Sequence, residues 1–533
     1  MSAMTNSELT ALSPPDFCPD HCVSRACRVT EVGDIGQRFQ PKEHQVSSWV
    51  EKPLFFLVCP EVCKPISPQE HIMEEQGDCT SGVCPGASAT GETVSIYVDY
   101  NHPLLQLKRA LPWEALCEVM TRHWRQAGKN TDGGPGLPWD GALYVPLVVL
   151  MLVKNLNLRA MEAYLAENVV ARVFIGRQDD PRPQIRDHSN IARAYTALGK
   201  DGVEESNALI LHVARDGGFA DVSLLSSDTT AQELPIGYPN EPSILRGLAQ
   251  RCGRALAKLK ARAVVGVDTA LVQVQTILKT VKEHHLFAKR PADKRQVLTR
   301  LLTEVGQLMV QTRLLVARLG ARRDRVTHNA ITTLHTMHEV AKRLIPQIVQ
   351  WITTGVVAKG KIVHAGVTQA RAIVRHKAGK AVEFGLPYLL SRLGGGYIFG
   401  TLIRGVVDES KMPLQALAGY RAIFGAHATP TLLVYDRGGY ASATLKVLAH
   451  EGVKQLGIQP KGQRAWHVAE DVRQTVRSER GKTEGIIGTL KTDTYGFNKP
   501  KERLWQTLEM AGPRSLLSFN LNKLMRDLVR ADR

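Results

Sequence analysis

The sequence has no long apolar segment and no secretory signal. Its longest uninterrupted apolar run, residues 142–153, contains Pro146 and is shorter than the roughly 20 apolar residues needed to span a bilayer. The first eight residues lack the order of a secretory signal, in which basic residues precede an apolar stretch. We therefore expect a cytoplasmic protein with no membrane partner, in which residues 142–153 form a buried helix.

Acidic residues are scarce relative to basic ones. The chain has 68 Lys and Arg against 51 Asp and Glu, a formal net charge of +17, which favours a polyanionic partner without indicating a particular fold. Charge alone leaves open that the protein is simply basic and soluble. A chain of 533 residues is too long for one compact core, and its length suggests three or four domains. No sustained heptad is present, so a coiled coil is not expected.

Cysteine is nearly missing beyond residue 84, where only Cys117 and Cys252 occur, both in helical patterns expected to bury them. The other seven lie nearer the N terminus: Cys18, Cys22, Cys27, Cys59, Cys63, Cys79 and Cys84. Within the clusters their gaps are three or four residues, as between zinc ligands, although prolines interrupt the segment. A small zinc module and a loosely ordered extension both remain open.

Three acidic residues have the spacing of a phosphodiester-cutting site. Asp228 and Asp436 each close an apolar segment predicted to be a strand. Farther on, Arg480, Glu484 and Lys491 follow at offsets of four and seven, which places them on one face of a helix. Three converging carboxylates are one way to hold two divalent cations for cutting and joining phosphodiesters, and flanking cations suit a polyanion.

These residues resemble the motifs of the DDE transposases of bacterial insertion sequences. That family has a first Asp followed by a small residue and Thr, a second Asp in an Asp-x-Gly-Tyr-like turn, and a Tyr-x2-Arg-x3-Glu-x6-Lys box. The matching positions here are Asp228 with Thr229 and Thr230, residues 436–440, and Arg480, Glu484 and Lys491. Arg477 occupies the Tyr position, and residues 436–440 contain one additional glycine. The similarity extends from about residue 101 to residue 528.

The resemblance implies a DNA transposase that binds the ends of an insertion sequence, hydrolyses the phosphodiester and joins the 3'-hydroxyl ends to target DNA. Its catalytic and metal-binding residues would be Asp228, Asp436 and Glu484, with two Mg2+ ions per site and Mn2+ as a substitute. Residues expected to contact DNA are Arg480, Lys491, Arg477, Lys482, Thr229, Thr230, Arg437 and Trp466. The implied partners are terminal inverted repeats and target DNA, bound by a homodimer or higher homo-oligomer at the bacterial nucleoid.

Several alternatives remain open. A metal-dependent nuclease of the same fold would stop at hydrolysis, and a non-catalytic DNA-binding protein would not cleave. Glu479 rivals Glu484 but has Ile486, and no cation, seven positions later. Trp466 either stacks on an unpaired base or packs inside the protein. The helix-weakening glycines at 481, 485 and 488 suggest that a backbone passes close by, either of the sheet or of DNA.

The expected fold is α/β, an RNase-H-like mixed five-stranded sheet flanked by helices, with a large all-helical insertion after the first strand and a helical N-terminal domain. Predicted strands are residues 219–226, 381–390, 397–403, 431–435 and 455–458; predicted helices of this core are residues 413–424 and 441–451. Predicted domains are a Cys/Pro-rich extension (1–94), a helical DNA-binding domain (95–205), the first part of the core (206–243), the insertion (244–370), the second part of the core (371–510) and a C-terminal helix (511–533).

Basic residues mark both helical regions. In the N-terminal domain the candidate phosphate contacts are Arg177, Arg182, Arg186, Arg193 and Lys200, each of which is equally well explained as a solvated surface charge. In the insertion, apolar residues at helical spacing predict helices over residues 245–259, 264–281, 297–319 and 331–354. The insertion is strongly basic and is predicted to clamp DNA, to hold a partner subunit, or both. Alternatively, its charges keep long amphipathic helices soluble.

Overall fold

The computed structural model describes residues 72–75, 94–131, 139–178, 188–320, 324–377, 380–405, 407–462, 464–502 and 504–532. The chain divides into two compact units, Met1–Gln69 and Glu70–Arg533, and the described residues all lie in the second. The seven N-terminal cysteines, Arg182 and Arg186 lie outside the described residues, so the predictions about them stay predictions. The domain boundaries likewise stay predictions.

The N-terminal part of the described chain is helical after a short antiparallel pair, β1 (Ile72–Glu75) and β2 (Val94–Tyr97). Asp140 caps one helix, whose apolar run, predicted to be a buried helix, is almost wholly buried. Gly199, with φ of +64°, bends the last helix. The helices are α1 (Pro103–Ala110), α2 (Trp113–Gln126), α3 (Gly141–Lys154), α4 (Leu158–Glu167), α5 (Val169–Phe174) and α6 (His188–Asp216).

A mixed sheet of six strands forms the centre of the α/β fold. Its strands are β3 (Asp221–Glu233), β4 (Arg371–Lys377), β5 (Lys380–Gly394), β6 (Ile398–Leu402), β7 (Leu432–Tyr435) and β8 (Gln455–Ile458). The central strand β3 pairs antiparallel with β5 on one side and parallel with β7 on the other, and β8 extends the parallel side. Both β4 and β6 pair with the far edge of β5, at successive positions along it.

Two predictions about the sheet need correction. The sheet has six strands instead of five, because residues 371–377 pair with the first half of a 15-residue β5. Asp228 does not close its strand, because β3 continues to Glu233 and Asp228 pairs with Leu390. Parallel pairing with β7, however, ends at Ser226. Asp228 is therefore at the point where β3 runs past its parallel neighbour.

Four long helices lie between β3 and β4, as the apolar periodicity predicts: α7 (Glu241–Lys260), α8 (Val267–Leu286), α9 (Pro291–Leu319) and α10 (Arg325–Thr354). They have a hydrophobic core of their own, in which Leu248, Leu301 and Leu344 are fully buried. Asn240 and Asp324 cap the first and last of these helices with their side chains. The insertion thus folds around its own apolar interior.

The remaining helices complete the layers against the sheet. They are α11 (Met412–Phe424), α12 (Ser442–His450), α13 (Glu470–Leu490), α14 (Trp505–Leu508) and α15 (Ala511–Ala531). In α15 the buried Asn520 amide donates to Asn207 of α6 and to the carbonyl of Ile398 in β6, at 2.8 and 2.6 Å. The C-terminal helix therefore joins the N-terminal helices to the sheet.

Within the described ranges, no single helix is both long and apolar enough to cross a membrane. The helices Gly141–Lys154 and Arg159–Glu167 form a pair bent by 98°. Counted together, and by length and composition alone, the two are long and apolar enough for a membrane span.

Candidate active site

The three predicted catalytic acids line one small pocket. Its lining residues are Ser226, Ser227, Asp228, Asp436, Arg480, Thr483 and Glu484. The enclosed volume is about 10 Å³, close to the space that one water needs. Residues from β3, from the turn after β7 and from α13 thus meet where the sequence predicts a site.

A buried hydrogen bond fixes α13 against β3 beside these acids. The hydroxyls of Ser226 and Thr483 lie 2.8 Å apart, and both side chains are buried. Each is a near neighbour in sequence of a predicted catalytic acid, Ser226 of Asp228 and Thr483 of Glu484. The bond therefore sets where α13 holds Glu484 relative to the strand.

Asp436 comes directly after β7, as predicted, and begins a tight turn. Its carboxylate accepts a hydrogen bond of 2.7 Å from the backbone N–H of Gly438. At Gly439 a Cβ would lie 2.4 Å from the Tyr435 ring, so the turn requires glycine there. The additional glycine in this motif therefore has a structural reason.

Glu409 is a site residue that sequence reasoning missed. Its Oε1 accepts a 2.8 Å hydrogen bond from the Thr229 hydroxyl, and its Oε2 accepts a 2.6 Å bond from the Tyr435 hydroxyl. Thr229 follows Asp228 and Tyr435 precedes Asp436, so one carboxylate links the residues beside both aspartates. Glu409 lies in an irregular segment before α11, and no spacing rule in the sequence would have identified it.

Tyr435 remains protonated in this environment. Burial, and after it the carboxylate of Glu409, raises the pKa of Tyr435, with smaller contributions from Asp228 and Asp436. A protonated phenol can donate to Glu409, whereas a phenolate beside these carboxylates would be repelled. The link between β7 and Glu409 is therefore stable at ordinary pH.

Glu479 is a structural residue. Its carboxylate is 6% exposed and forms an ion pair with the buried guanidinium of Arg392 from β5. It also accepts a hydrogen bond from Lys482 Nζ at 2.6 Å. Burial opposes ionisation, but these cations outweigh it and hold the pKa of Glu479 below its usual value. The predicted DNA contact Lys482 is thus already engaged within the protein.

Arg480 links the acidic pocket to a larger basic one. Its Nη2 lies 4.0 Å from Glu484 Oε1, and it also lines a neighbouring cavity of about 400 Å³. That cavity is lined by Tyr435, Gln459, Arg464, Ala465, Trp466, His467, Arg473, Val476, Arg477 and Arg480. The basic side chains face a space beside the three acids, which suits a phosphate chain.

Trp466 both packs and lines this basic cavity. It is half-buried against the apolar cluster formed by Leu432, Val434 and Val476. Its backbone carbonyl accepts a 2.7 Å hydrogen bond from Arg473. The packing interpretation of Trp466 is therefore confirmed, and its predicted base contact stays a prediction.

Other predicted DNA contacts do not line the acidic pocket. Lys491 is the C-cap of α13, with its Nζ 3.7 Å from Glu383 Oε2. Arg437 is exposed and donates to Gln459 at 2.9 Å. Thr230 lines a separate groove with Thr229.

The candidate phosphate contacts of the N-terminal helices have polar partners. Arg177 lies 3.8 Å from Asp140, Lys200 2.7 Å from Glu204, and Arg193 donates to Asn190 at 3.2 Å.

The glycines of α13 face open space. A Cβ built at Gly481, Gly485 or Gly488 meets no other atom within 4 Å. The suggestion that these glycines permit close approach of the sheet is therefore wrong, because the sheet lies on another side of the helix. Close approach of DNA stays a prediction.

The donor chemistry of the acidic pocket fits a hard divalent cation, because carboxylate oxygens are the ligands that Mg2+ prefers. Within the described residues, no three His, Cys, Asp or Glu side chains are grouped so as to hold a metal ion as they stand. Glu484 accounts for this in part, since its side chain is 67% exposed and lies beside Arg480. The pocket therefore fits Mg2+ in the type of its ligands and in bringing the three acids to one place.

Comparison with known protein families matches the N-terminal helical region. A family model described as "Transposase domain (DUF772)" matches residues 92–197, which contain α1 to α5 and the start of α6. The match supports a transposase family, and with it an enzyme that acts on DNA. No curated protein matches the chain. No solved structure matches it either.

Proposed function

We propose that the protein is a DDE transposase of a bacterial insertion sequence, which cleaves DNA at the element's ends and joins the 3'-hydroxyl ends to target DNA. The observation that carries the proposal is the pocket shared by Asp228, Asp436 and Glu484. These acids are far apart in sequence, and a pocket lined by all three is not expected of unrelated surface carboxylates.

The sheet supports an RNase-H-like core. The order β6, β5, β3, β7, β8, with only β5 antiparallel to its neighbours, is the order in which that fold arranges its five strands, and β4 is then an addition at the edge. The fold alone would not define a function. The acids that meet where β3, β7 and α13 come together supply the chemical evidence for a function.

Each part of the site has a separate role in this proposal. Asp228, Asp436 and Glu484 would hold Mg2+, which when bound activates the attacking oxygen and stabilises the leaving one. Arg480 would bind a phosphate beside the scissile bond through paired donors. Arg477 and Trp466 would contact the strand in the basic cavity. The substrate is double-stranded DNA, and paired ends imply a homodimer or larger homo-oligomer in the bacterial cytoplasm.

The test first searches the DNA that flanks the coding region for short inverted repeats, and then combines purified protein, Mg2+ and DNA carrying those repeats. We expect nicking at the repeat ends and, with a precut end bearing a 3'-hydroxyl, covalent joining to a second duplex. Glu484→Gln should lose both reactions while its thermal unfolding is unchanged. Nicking without joining would identify a nuclease, and equal nicking by wild type and Glu484→Gln would exclude the proposed active site.

A further inference from the structure

A second groove borders the candidate active site on the side of the helical insertion. It has a volume of about 460 Å³. Its lining includes residues 357–361, which follow α10, and residues 371–374 of β4. Thr229 and Thr230, which follow Asp228 in β3, and Glu409 also line it. The groove is therefore lined both by residues next to a predicted catalytic acid and by the segment that follows the insertion helices.

The groove is cationic, and part of that charge has no counter-ion. Lys361 forms an ion pair with Glu241. Lys359 and Arg371 also line the groove, and within the described residues neither forms an ion pair with a carboxylate. Among the described residues, the hydrogen bonds that Arg371 donates go to the backbone carbonyls of Thr368 and Ala370, at 2.7 and 3.1 Å.

The environment of Arg371 disfavours its positive charge. Burial, and after it the charge of Arg343 on α10, lowers the pKa of Arg371. An anion bound in the groove beside Arg371 would offset that cost.

Apolar side chains separate these cations along the groove. Val357 and Val374 are 55% and 59% exposed, and Ala358 and Ala372 follow or precede them in the lining. A DNA strand alternates anionic phosphates with sugars whose faces are largely apolar, so it matches this mixture better than a small anion does. Among the described residues that line the groove, Glu409 is the only one with a carboxylate, and its two oxygens accept hydrogen bonds from Thr229 and Tyr435.

We propose that this groove binds one sugar–phosphate strand of the DNA whose scissile phosphate lies at the acidic pocket. The inference rests on the proposed function. The basic cavity at Arg480 and this groove would then each receive part of the DNA beside the three acids. Lys359 and Arg371 supply the phosphate contacts.

The test is the salt dependence of DNA binding, measured in EDTA with a 30-base-pair duplex so that no cleavage occurs. The variants are Lys359→Gln and Lys359→Ala. The matched control is Lys342→Gln, because Lys342 of α10 carries the same charge but is paired with Glu339 at 2.6 Å and does not line the groove. Arg371→Gln is unsuitable alone, since it also removes hydrogen bonds to two backbone carbonyls.

Each lost phosphate contact should reduce the slope of log K against log salt by about 0.9 in magnitude. We expect that reduction in both groove variants and no change in Lys342→Gln, with equal thermal unfolding for all three. Identical slopes in wild type, both groove variants and the control would overturn the proposed groove. Because binding is measured without metal, the slopes can be interpreted even if the protein does not cleave DNA. Normal cleavage with unchanged slopes would reject DNA binding in this groove but not the proposed transposase function.

Discussion

The carboxylate of Glu479 lies against the guanidinium of Arg392 inside the protein, five positions before Glu484 on the same helix. Glu479 is 6% exposed, whereas the Glu484 side chain is 67% exposed and borders the pocket with both aspartates. One helix thus presents one glutamate to the interior and another to the pocket that both aspartates line.

The two glutamates should therefore give opposite phenotypes when each is changed to Gln. Glu479→Gln leaves a buried arginine without its charge partner and should lower the free energy of unfolding by about 3 kcal/mol. Glu484→Gln should leave unfolding within about 0.5 kcal/mol of wild type, as at an exposed position, and abolish cleavage. Urea denaturation and a nicking assay on the same preparations measure both effects. Loss of stability in Glu484→Gln would contradict this assignment.

Glu479 should also make stability depend on pH in the acid range. Its pKa is held below the ordinary 4.5, so the unfolded chain takes up its proton first as the pH falls. The stabilisation is complete above 4.5 and is lost as the pH falls from there through the folded-state pKa. Urea denaturation between pH 7 and pH 3 should show wild type and Glu479→Gln converging in that window. A constant difference across the range would show that ionisation of Glu479 does not contribute.

Glu409 should act by positioning the aspartates. Glu409→Ala removes the link between Thr229 and Tyr435, and losses of this kind around metal ligands reduce metal affinity or activity by about 10- to 100-fold. We expect the Mg2+ concentration for half-maximal cleavage to rise by about tenfold. Tyr435→Phe and Thr229→Val each break one of the two bonds and should give smaller rises. If Glu409→Ala lowers the free energy of unfolding but leaves the Mg2+ dependence of cleavage unchanged, Glu409 has a structural role only.

Gly485→Ala should stabilise the protein. Gly485 is in the interior of α13, where Ala is better than Gly by about 1 kcal/mol, and the added methyl group meets no atom within 4 Å. If DNA lies along this face, cleavage should fall although stability rises. Gly385→Ala is the contrasting control, because its Cβ would lie 2.0 Å from the Gln232 carbonyl oxygen across the β3–β5 pair. Thermal unfolding should shift upward in the first variant and downward in the second.

The sequence predicted most helices and the parallel part of the sheet, because their signals are local. Apolar periodicity identified the four insertion helices, and the short apolar runs identified β7 and β8. The extension of β3 beyond Asp228 was missed, since Thr229 to Glu233 is polar and its pairing with β5 depends on residues about 150 positions later. For the same reason β4, a basic segment at the sheet edge, was not predicted.

At the site, the acids could be predicted from the spacing of a motif. The residues that hold neighbouring parts of the site in place could not. Glu409 contacts residues 26 and 180 positions away, and Arg392 meets Glu479 across 87 positions. Such distances leave no pattern in a single sequence. Lys491 was predicted from a helical offset, which places a side chain on one face of α13 but does not reveal that Glu383 lies near it on β5.

The placement of β3 also governs how the chain can be assembled during synthesis. β3 leaves the ribosome first, but both its neighbours, β5 and β7, lie beyond the insertion in the sequence. At 5 to 20 residues per second, the roughly 150 residues up to β5 take about 8 to 30 s to translate. During that interval the helices of the insertion, whose contacts are largely with one another, can fold, whereas both edges of β3 are still unpaired. A nascent chain stalled within the insertion would therefore expose strand edges that can pair with another chain. Slow translation of the insertion would then favour aggregation over correct folding.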